Sequence, residues 1–378
     1  MSFDLIVTQY DDHNEDILML CNKFKVSDVL MIADKKDINK INNLKELYKK
    51  ENGELTIRSE FIQLGNYNEI SNILDKCNNA KMLVNLRGGE RINSLLLLKY
   101  ASEKNIQSIY VDILNKKRYV FGDNFRVISQ ELEDMSIDEI TKVSGANIVC
   151  DSSDLCSKKD IVDITNIILK NLDLWHKYKQ KLYDNSIFIH DYKDSTKVTI
   201  NKEMLEDEES HLLYKILKYL KSINGIGYFE ERNNIKVNFN NTYLKAFLFK
   251  SGTWLEVLTN IVIDEIKEID EVKNSVVFFW SDDAKRVRNE LDVVAVKDSV
   301  LVCVSCKDSD KYDENALNEL EVYSEKLGGK KAIKILVATK QPIKKSVVDR
   351  AREMNINLVI IDKDINKFRK QLSSIINK

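Results

Sequence analysis

Two α/β domains joined by a connector are what this 378-residue sequence predicts, and three observations carry the prediction. Through the first 150 residues, β-rich apolar runs alternate with helical patterns, as in a doubly wound parallel sheet. From residue 251 to 378 a second alternation is built around two consecutive, thoroughly apolar strands. The chain is also too long for one ordinary hydrophobic core.

In the first domain, residues 4–8, 29–32, 55–64, 82–86 and 106–111 read as strands, with helices over 14–24 and from 37, 67 and 90. Ligands of such sheets bind beyond the carboxyl ends of the strands. The first strand ends in Thr8-Gln9-Tyr10 without GxGxxG, which argues against a dinucleotide. After the fourth strand comes Asn85-Leu86-Arg87-Gly88-Gly89-Glu90-Arg91. Paired glycines let backbone N–H groups approach a ligand, the helix that follows favours an anion, and Arg87 and Arg91 would add charge-assisted phosphate contacts. The plainer alternative is a Gly-Gly turn with Glu90 in a favourable first-turn position.

The connector, residues 151–250, has a long helical pattern over 161–183 and an amphipathic one over 211–223, the latter with Leu212, Leu213, Ile216, Leu217 and Leu220 at helical spacing. Residues 228–231 and 235–239 suggest a hairpin turning at Asn233-Asn234. Helix plus hairpin fits either a small winged-helix-like element or a packing connector that relays closure of the first domain.

The chemistry concentrates in the last domain. Residues 291–296 and 300–305 are β-rich runs joined by Asp298-Ser299 and predict a hairpin. With a two-residue turn, Lys297 pairs with Val300 and Asp292 falls opposite Ser305. Asp292, Ser305 and Lys307 then share one face, whereas a three-residue loop would send Asp292 to the other. The alternation puts Leu291, Val293, Val302 and Val304 on one side and Val294, Val296, Leu301 and Cys303 on the other, the pattern of a sheet interior. A carboxylate and an ammonium at the end of such strands are costly to bury unless paired or bound to metal. Together with Glu256 on the preceding helix they suit phosphodiester cleavage, which needs a hard divalent cation held by oxygen ligands and a lysine to steady the nucleophile. An ordinary Asp–Lys pair at a strand end is the competing reading.

Composition limits the field. With 43% hydrophobic and 31% charged residues the chain is globular, and its net charge of -2 leaves nucleic-acid contacts to local patches such as Lys285-Arg286-Val287-Arg288. No signal-peptide pattern or membrane-length apolar run occurs, so a cytoplasmic protein is expected, with no membrane partner. Six scattered cysteines do not make a disulfide framework. Cys303 and Cys306 spell CxxC, yet fall on opposite faces of a strand. The four dispersed histidines, His176 among them, read as surface or core residues.

From Trp254 to about Ile361 the order of elements resembles the PD-(D/E)XK restriction-endonuclease fold: a helix with Glu256, a strand at 276–280, the hairpin, a helix at 315–326 and a strand at 333–338. The resemblance implies that Asp292 and the Cys306 backbone carbonyl bind Mn2+ or Mg2+ and that Lys307 assists the water. Ser305 stands where that family carries Asp or Glu, which implies either a weakened site or one in which Glu256 supplies the other carboxylate. Read with the first domain, the chain resembles the CARF nucleases of type III CRISPR defence, whose motif reads Asn-x-Thr-Gly-Gly-Thr-Lys. Asn85, Gly88 and Gly89 keep that motif; Arg87, Glu90 and Arg91 depart from it. The resemblance implies a Rossmann-like CARF domain at residues 1–150, a restriction-endonuclease-like domain at 251–378, and a homodimer. One cyclic oligoadenylate, cyclic tetra-adenylate in the first instance, would be clasped by Thr8, Gln9 and residues 85–91 of each protomer, and DNA or RNA cut without sequence preference. The alternatives are a catalytically weakened regulatory or nucleic-acid-binding protein, and a ring-independent repair or restriction nuclease.

Overall fold

The structure is a computed structural model that describes residues 2–51, 55–129, 132–250, 252–280 and 287–378. Its first sheet has seven strands, five of them parallel in the order Thr56–Phe61, Asp28–Ala33, Leu5–Gln9, Met82–Asn85, Ser108–Asp112. Every residue of Leu5–Gln9 and Met82–Asn85 is buried, as apolar runs covered on both faces must be. Strand order reverses between these two, which puts Thr8, Gln9 and Asn85 at the switch point where α/β sheets bind ligands. Two antiparallel strands, Lys117–Phe121 and Arg126–Ser129, extend the sheet beyond the predicted set.

The middle region departs from expectation in detail. The helix expected over 161–183 is two, Lys159–Lys170 and Leu172–Tyr178, broken at Asn171. The hairpin pairs Glu231 with Asn234, so its turn is Arg232-Asn233, one residue earlier than predicted. Arg232 takes the left-handed conformation (φ 52°) that such a turn demands. Two further strands, Phe188–His190 and Lys197–Asn201, complete a four-stranded antiparallel sheet backed by the helix Asp207–Ser222.

The third sheet runs Ile356–Ile360, Ile333–Ala338, Val300–Lys307, Asn289–Lys297, Glu271–Trp280 and Ala146–Cys150. Its last member comes from the first 150 residues: Ala146–Cys150 pairs antiparallel with Glu271–Trp280 and is an edge strand of the C-terminal sheet. One face of this sheet packs on Thr253–Asp264, Lys159–Lys170 and the middle region. The other shares a continuous core with the first sheet, to which Ile17 and Leu20 of the first helix and Val294, Leu301 and Leu336 all belong. The N-terminal and C-terminal α/β halves are therefore fused through one apolar layer.

Candidate functional site

The hairpin turns at Asp298 and Ser299, both at positive φ (53° and 63°), as a two-residue turn that follows the strand twist requires. Its register runs from Lys297 with Val300 to Val293 with Val304, so Asp292 meets Ser305 at the open end. Cys306 N–H donates to Asp292 Oδ2 at 2.6 Å and the Ser305 hydroxyl donates to the same oxygen at 3.3 Å. Face assignment holds for most of the hairpin and fails at Leu291, which joins the core of Val294 and Val296 instead of that of Val293. On the neighbouring strand Ser275 is at φ 52°, a left-handed kink opposite this slip. Cys303 and Cys306 sit on opposite faces as expected.

Glu256 projects from the helix Thr253–Asp264 toward the same end of the strands, where its carboxylate accepts from the Ser275 hydroxyl at 3.2 Å. Burial, then the negative charge of Asp292, pushes its pKa up to about 7. Asp292 is likewise raised by burial, against the opposing pull of the Lys307 ammonium and the Cys306 amide. The structure thus brings Glu256, Asp292, Ser305, Cys306 and Lys307 together. Two carboxylates that burial and neighbouring negative charge make reluctant to ionise are a donor set that a hard divalent cation relieves, and oxygen donors are what Mg2+ or Mn2+ takes.

Three contributors were not anticipated. Glu290 accepts from the same Ser275 hydroxyl at 3.0 Å, which adds a third carboxylate beside Glu256; its signal was its place two residues before Asp292. Lys250 lies close enough for its charge to oppose the rise in the Glu256 pKa. Asp308, directly after Lys307, accepts from Trp175, His176, Lys179, Trp254 and Thr339. Although burial raises its pKa, the hydrogen bond from His176 and the Lys179 ammonium bring it down to about 2. His176, read from sequence as an ordinary surface or core residue, belongs to this network.

Among the described residues, the set of three carboxylates whose oxygens all lie within 4.8 Å of one another is Asp134, Asp270 and Asp298. It sits at the turn end of the hairpin, opposite the Asp292 end, and Asp298 there also pairs with Lys116. Of the basic run, Lys285 and Arg286 lie outside the described residues; Arg288 is exposed and pairs with Glu290 at 3.3 Å.

At the other predicted site, Asn85 is fully buried and donates to Thr8 Oγ1 at 3.1 Å and to Asp16 Oδ2 at 2.5 Å. Its own side-chain oxygen accepts from Arg87 N at 3.3 Å. Gln9 donates to the Gly88 carbonyl at 3.3 Å and to Ser94 Oγ at 2.7 Å. Gly88 and Gly89 have φ of 85° and 63°, and a Cβ at Gly89 would lie 2.7 Å from the Gln9 side chain, so both space and backbone demand glycine. Arg87 turns inward to Glu15 (3.7 Å) and Asp16 (3.5 Å), two buried acids that need a cation. The Gly89 N–H is already occupied by Asp11 Oδ2 at 2.8 Å. Glu90 and Arg91 are exposed at the start of the helix Arg91–Glu103. A cavity of about 270 Å3 opens here, lined by Asp11, Asp12, Asp34, Asp37 and Glu90 with Lys36 as its cation.

Residues 244–377, which span Glu256 through Lys307, match the family model described as Card1-like, endonuclease domain. The C-terminal region is similar to that endonuclease domain. No curated protein matches the chain. Among solved structures, protein VC1899 from Vibrio cholerae is similar at TM-score 0.78 and 18% identity, covering 98% of this chain and 97% of its own. Can2 from Sulfobacillus thermosulfidooxidans, in complex with cyclic tetra-adenylate, is similar at TM-score 0.74 and 15% identity over 99% of this chain and 100% of its own. A type III CRISPR defence DNA nuclease activated by cyclic oligoadenylate is similar at TM-score 0.55 and 13% identity, over 92% of this chain and 48% of its own. These likenesses establish a shared fold; the Card1-like domain establishes an endonuclease.

Proposed function

We propose that the chain is a metal-dependent nuclease of type III CRISPR defence, switched on by a cyclic oligoadenylate. The observation that carries this is the Glu256, Asp292 and Lys307 cluster inside the Card1-like endonuclease domain. In this reading Asp292, Glu256 and the Cys306 carbonyl, with Glu290 beside them, hold Mn2+ or Mg2+, which when bound would gather charge on the phosphate and acidify a water. Lys307 then orients that water and balances charge on the phosphate, while Asp292 is held in place by the Cys306 amide. Ser305, lacking a carboxylate, serves by donating to Asp292.

Cyclic tetra-adenylate is the proposed activator, since the similar Can2 structure holds that ring. Thr8, Gln9, Asn85, Gly88 and Gly89 shape the loop, Glu90 and Arg91 form its rim, and Arg87 is its connection inward. Glu15, to which Arg87 turns, also faces Lys331 of the endonuclease domain at 3.6 Å. A phosphate that drew Arg87 outward would leave Glu15 to Lys331 and to His13, whose Nδ1 lies 3.7 Å away, and this is the proposed route from ring to nuclease. Exposed Ile92 and Leu95 on the adjoining helix, beside exposed Leu64, support a homodimer that covers them. In this reading residues 1–129 form the sensor, and the nuclease unit takes in 137–150 as well as 251–378. DNA is the favoured substrate, because a similar fold is a DNA nuclease. Among the described residues no single helix is long and apolar enough to cross a membrane, and we place the protein in the cytoplasm.

The test is incubation with labelled single-stranded RNA, single-stranded DNA and plasmid in manganese, with and without cyclic oligoadenylates. Cutting that depends on the ring supports the proposal, and ring binding without any cutting supports a regulatory protein instead. A second reading, a nuclease indifferent to the ring, is favoured by the acid-lined mouth and by Asp11 on the Gly89 amide, both unfavourable to a polyanion. Equal cutting with and without the ring would establish it.

A further inference from the structure

The Asp308 carboxylate is almost completely buried, its side chain 4% exposed, and each of its oxygens is shared by several donors. Oδ2 accepts from two indoles, Trp175 Nε1 at 3.0 Å and Trp254 Nε1 at 2.8 Å. Oδ1 faces Lys179 Nζ at 2.9 Å, His176 Nε2 at 3.2 Å and the Thr339 hydroxyl at 2.9 Å. His176 Nε2 also lies 3.0 Å from Thr339 Oγ1, and the Lys179 ammonium reaches the Asp308 carbonyl.

The addresses of these donors matter more than their number. Asp308 is peptide-bonded to Lys307, and Trp254 lies two residues before Glu256 on its helix. Thr339 N–H donates to the Lys307 carbonyl at 3.1 Å, so the end of the next strand is tied into the same knot. One carboxylate therefore holds the Lys307 strand end, the Glu256 helix and the Ile333–Ala338 strand at fixed separations. Trp175, His176 and Lys179 come from the middle region, from the helix Leu172–Tyr178 and the turn after it. Any of these donors can be kept only if that helix stays seated against the strand end. A buried carboxylate with several donors tolerates little displacement, since each lost partner leaves a buried polar group unpaired.

We propose that Asp308 is the positioning residue of the nuclease site, and that the helix Leu172–Tyr178 acts on cleavage through it. The inference rests on the nuclease reading above. It assigns the middle region a part in setting the spacing of Lys307 and Glu256 that a spacer would not have.

The experiment uses the full chain under whichever ring condition gives cutting. For wild type, Asp308→Asn, Trp254→Phe, Lys179→Met and Asp292→Ala, Mn2+ affinity is measured by electron paramagnetic resonance. Cleavage kcat and KM are measured alongside, and folding is checked by thermal unfolding. Displacement of reacting groups by about 1 Å costs on the order of a hundredfold in rate, so folded Asp308→Asn is expected to lose roughly tenfold to a hundredfold in kcat. Its KM for nucleic acid should stay within about twofold, and its Mn2+ affinity should fall about tenfold, on the scale seen for residues that orient metal ligands. Lys179→Met, remote from the reacting groups, should show the same kcat-only pattern to a smaller degree. In the metal-free protein the indole N–H resonances of Trp175 and Trp254 should move in Asp308→Asn while that of Trp280 stays. If Asp308→Asn does not fold, Trp254→Phe and Lys179→Met decide the matter by the same kcat and Mn2+ measurements. Folded variants with wild-type kcat and Mn2+ affinity overturn the inference, and so does a loss confined to KM. A wild-type chain that neither binds Mn2+ nor cuts, or an Asp292→Ala variant that does both normally, overturns the nuclease reading and this inference with it.

Discussion

At the scale of single residues, the site is a set of acids kept close at a cost. Because burial and Asp292 raise the Glu256 pKa to about 7, above the 4.5 of a free glutamate, the folded metal-free chain takes up a proton there that the unfolded chain does not. Its stability should therefore rise as pH falls from about 7 toward 4.5. Glu256→Gln should abolish that rise and, at pH 8 without metal, unfold at a higher temperature than wild type; calorimetry across this range checks both. Asp292→Asn and Lys307→Ala should each lower cleavage at least about a hundredfold with the fold intact, since each removes a group acting where charge develops. Gel assays beside far-ultraviolet dichroism measure this. Asp292 and Lys307 were legible because charge at the end of an apolar strand is conspicuous, and Glu256 as the acid in the first turn of an apolar helix. Glu290 was not, as one more acid beside an arginine reads as a solvated strand end until the Ser275 hydroxyl shows it reaching Glu256's partner.

Among elements, the hairpin was the most legible. A two-residue turn determines register by counting, and the observed pairing of Lys297 with Val300 follows that count. Alternation was not enough at Leu291, because the kink at Ser275 belongs to another strand and leaves no mark in the hairpin's own sequence. The turn is also a point of attachment: buried Ser299 Oγ accepts from Met135 N at 3.0 Å and donates toward Asp134. Ser299→Ala should cost about 1–3 kcal/mol, the penalty of a buried amide left without a partner, and denaturant titration would show it as a lower midpoint with unchanged slope. The inward pairing of Arg87 was hidden for a similar reason. Glu15 and Asp16 look like ordinary acids of a helix's first turn, and only the fold shows them buried and in need of its charge.

Across the whole molecule, the two α/β halves were legible from their alternation, while their fusion was not, since nothing local marks which distant strand Ala146–Cys150 will join. Lys331 meets Glu15 across that fused layer. Lys331→Met should leave ring affinity within about threefold while weakening ring-stimulated cutting by about tenfold, the scale of a coupling energy between two sites. Ring titration and cleavage, measured on one preparation, separate the two effects.

The edge position of Ala146–Cys150 bears on where this nuclease can be cut free. A fragment limited to residues 244–377 would carry the Card1-like sequence yet leave one side of Glu271–Trp280 with its row of backbone N–H and C=O groups unclaimed. Such an edge invites strand addition from a neighbouring copy. That fragment should self-associate in light scattering, whereas supplying residues 137–150 as a separate peptide should restore a monodisperse species. The sheet that carries Asp292 and Lys307 is discontinuous in sequence, and its edge strand lies inside what reads as the other domain.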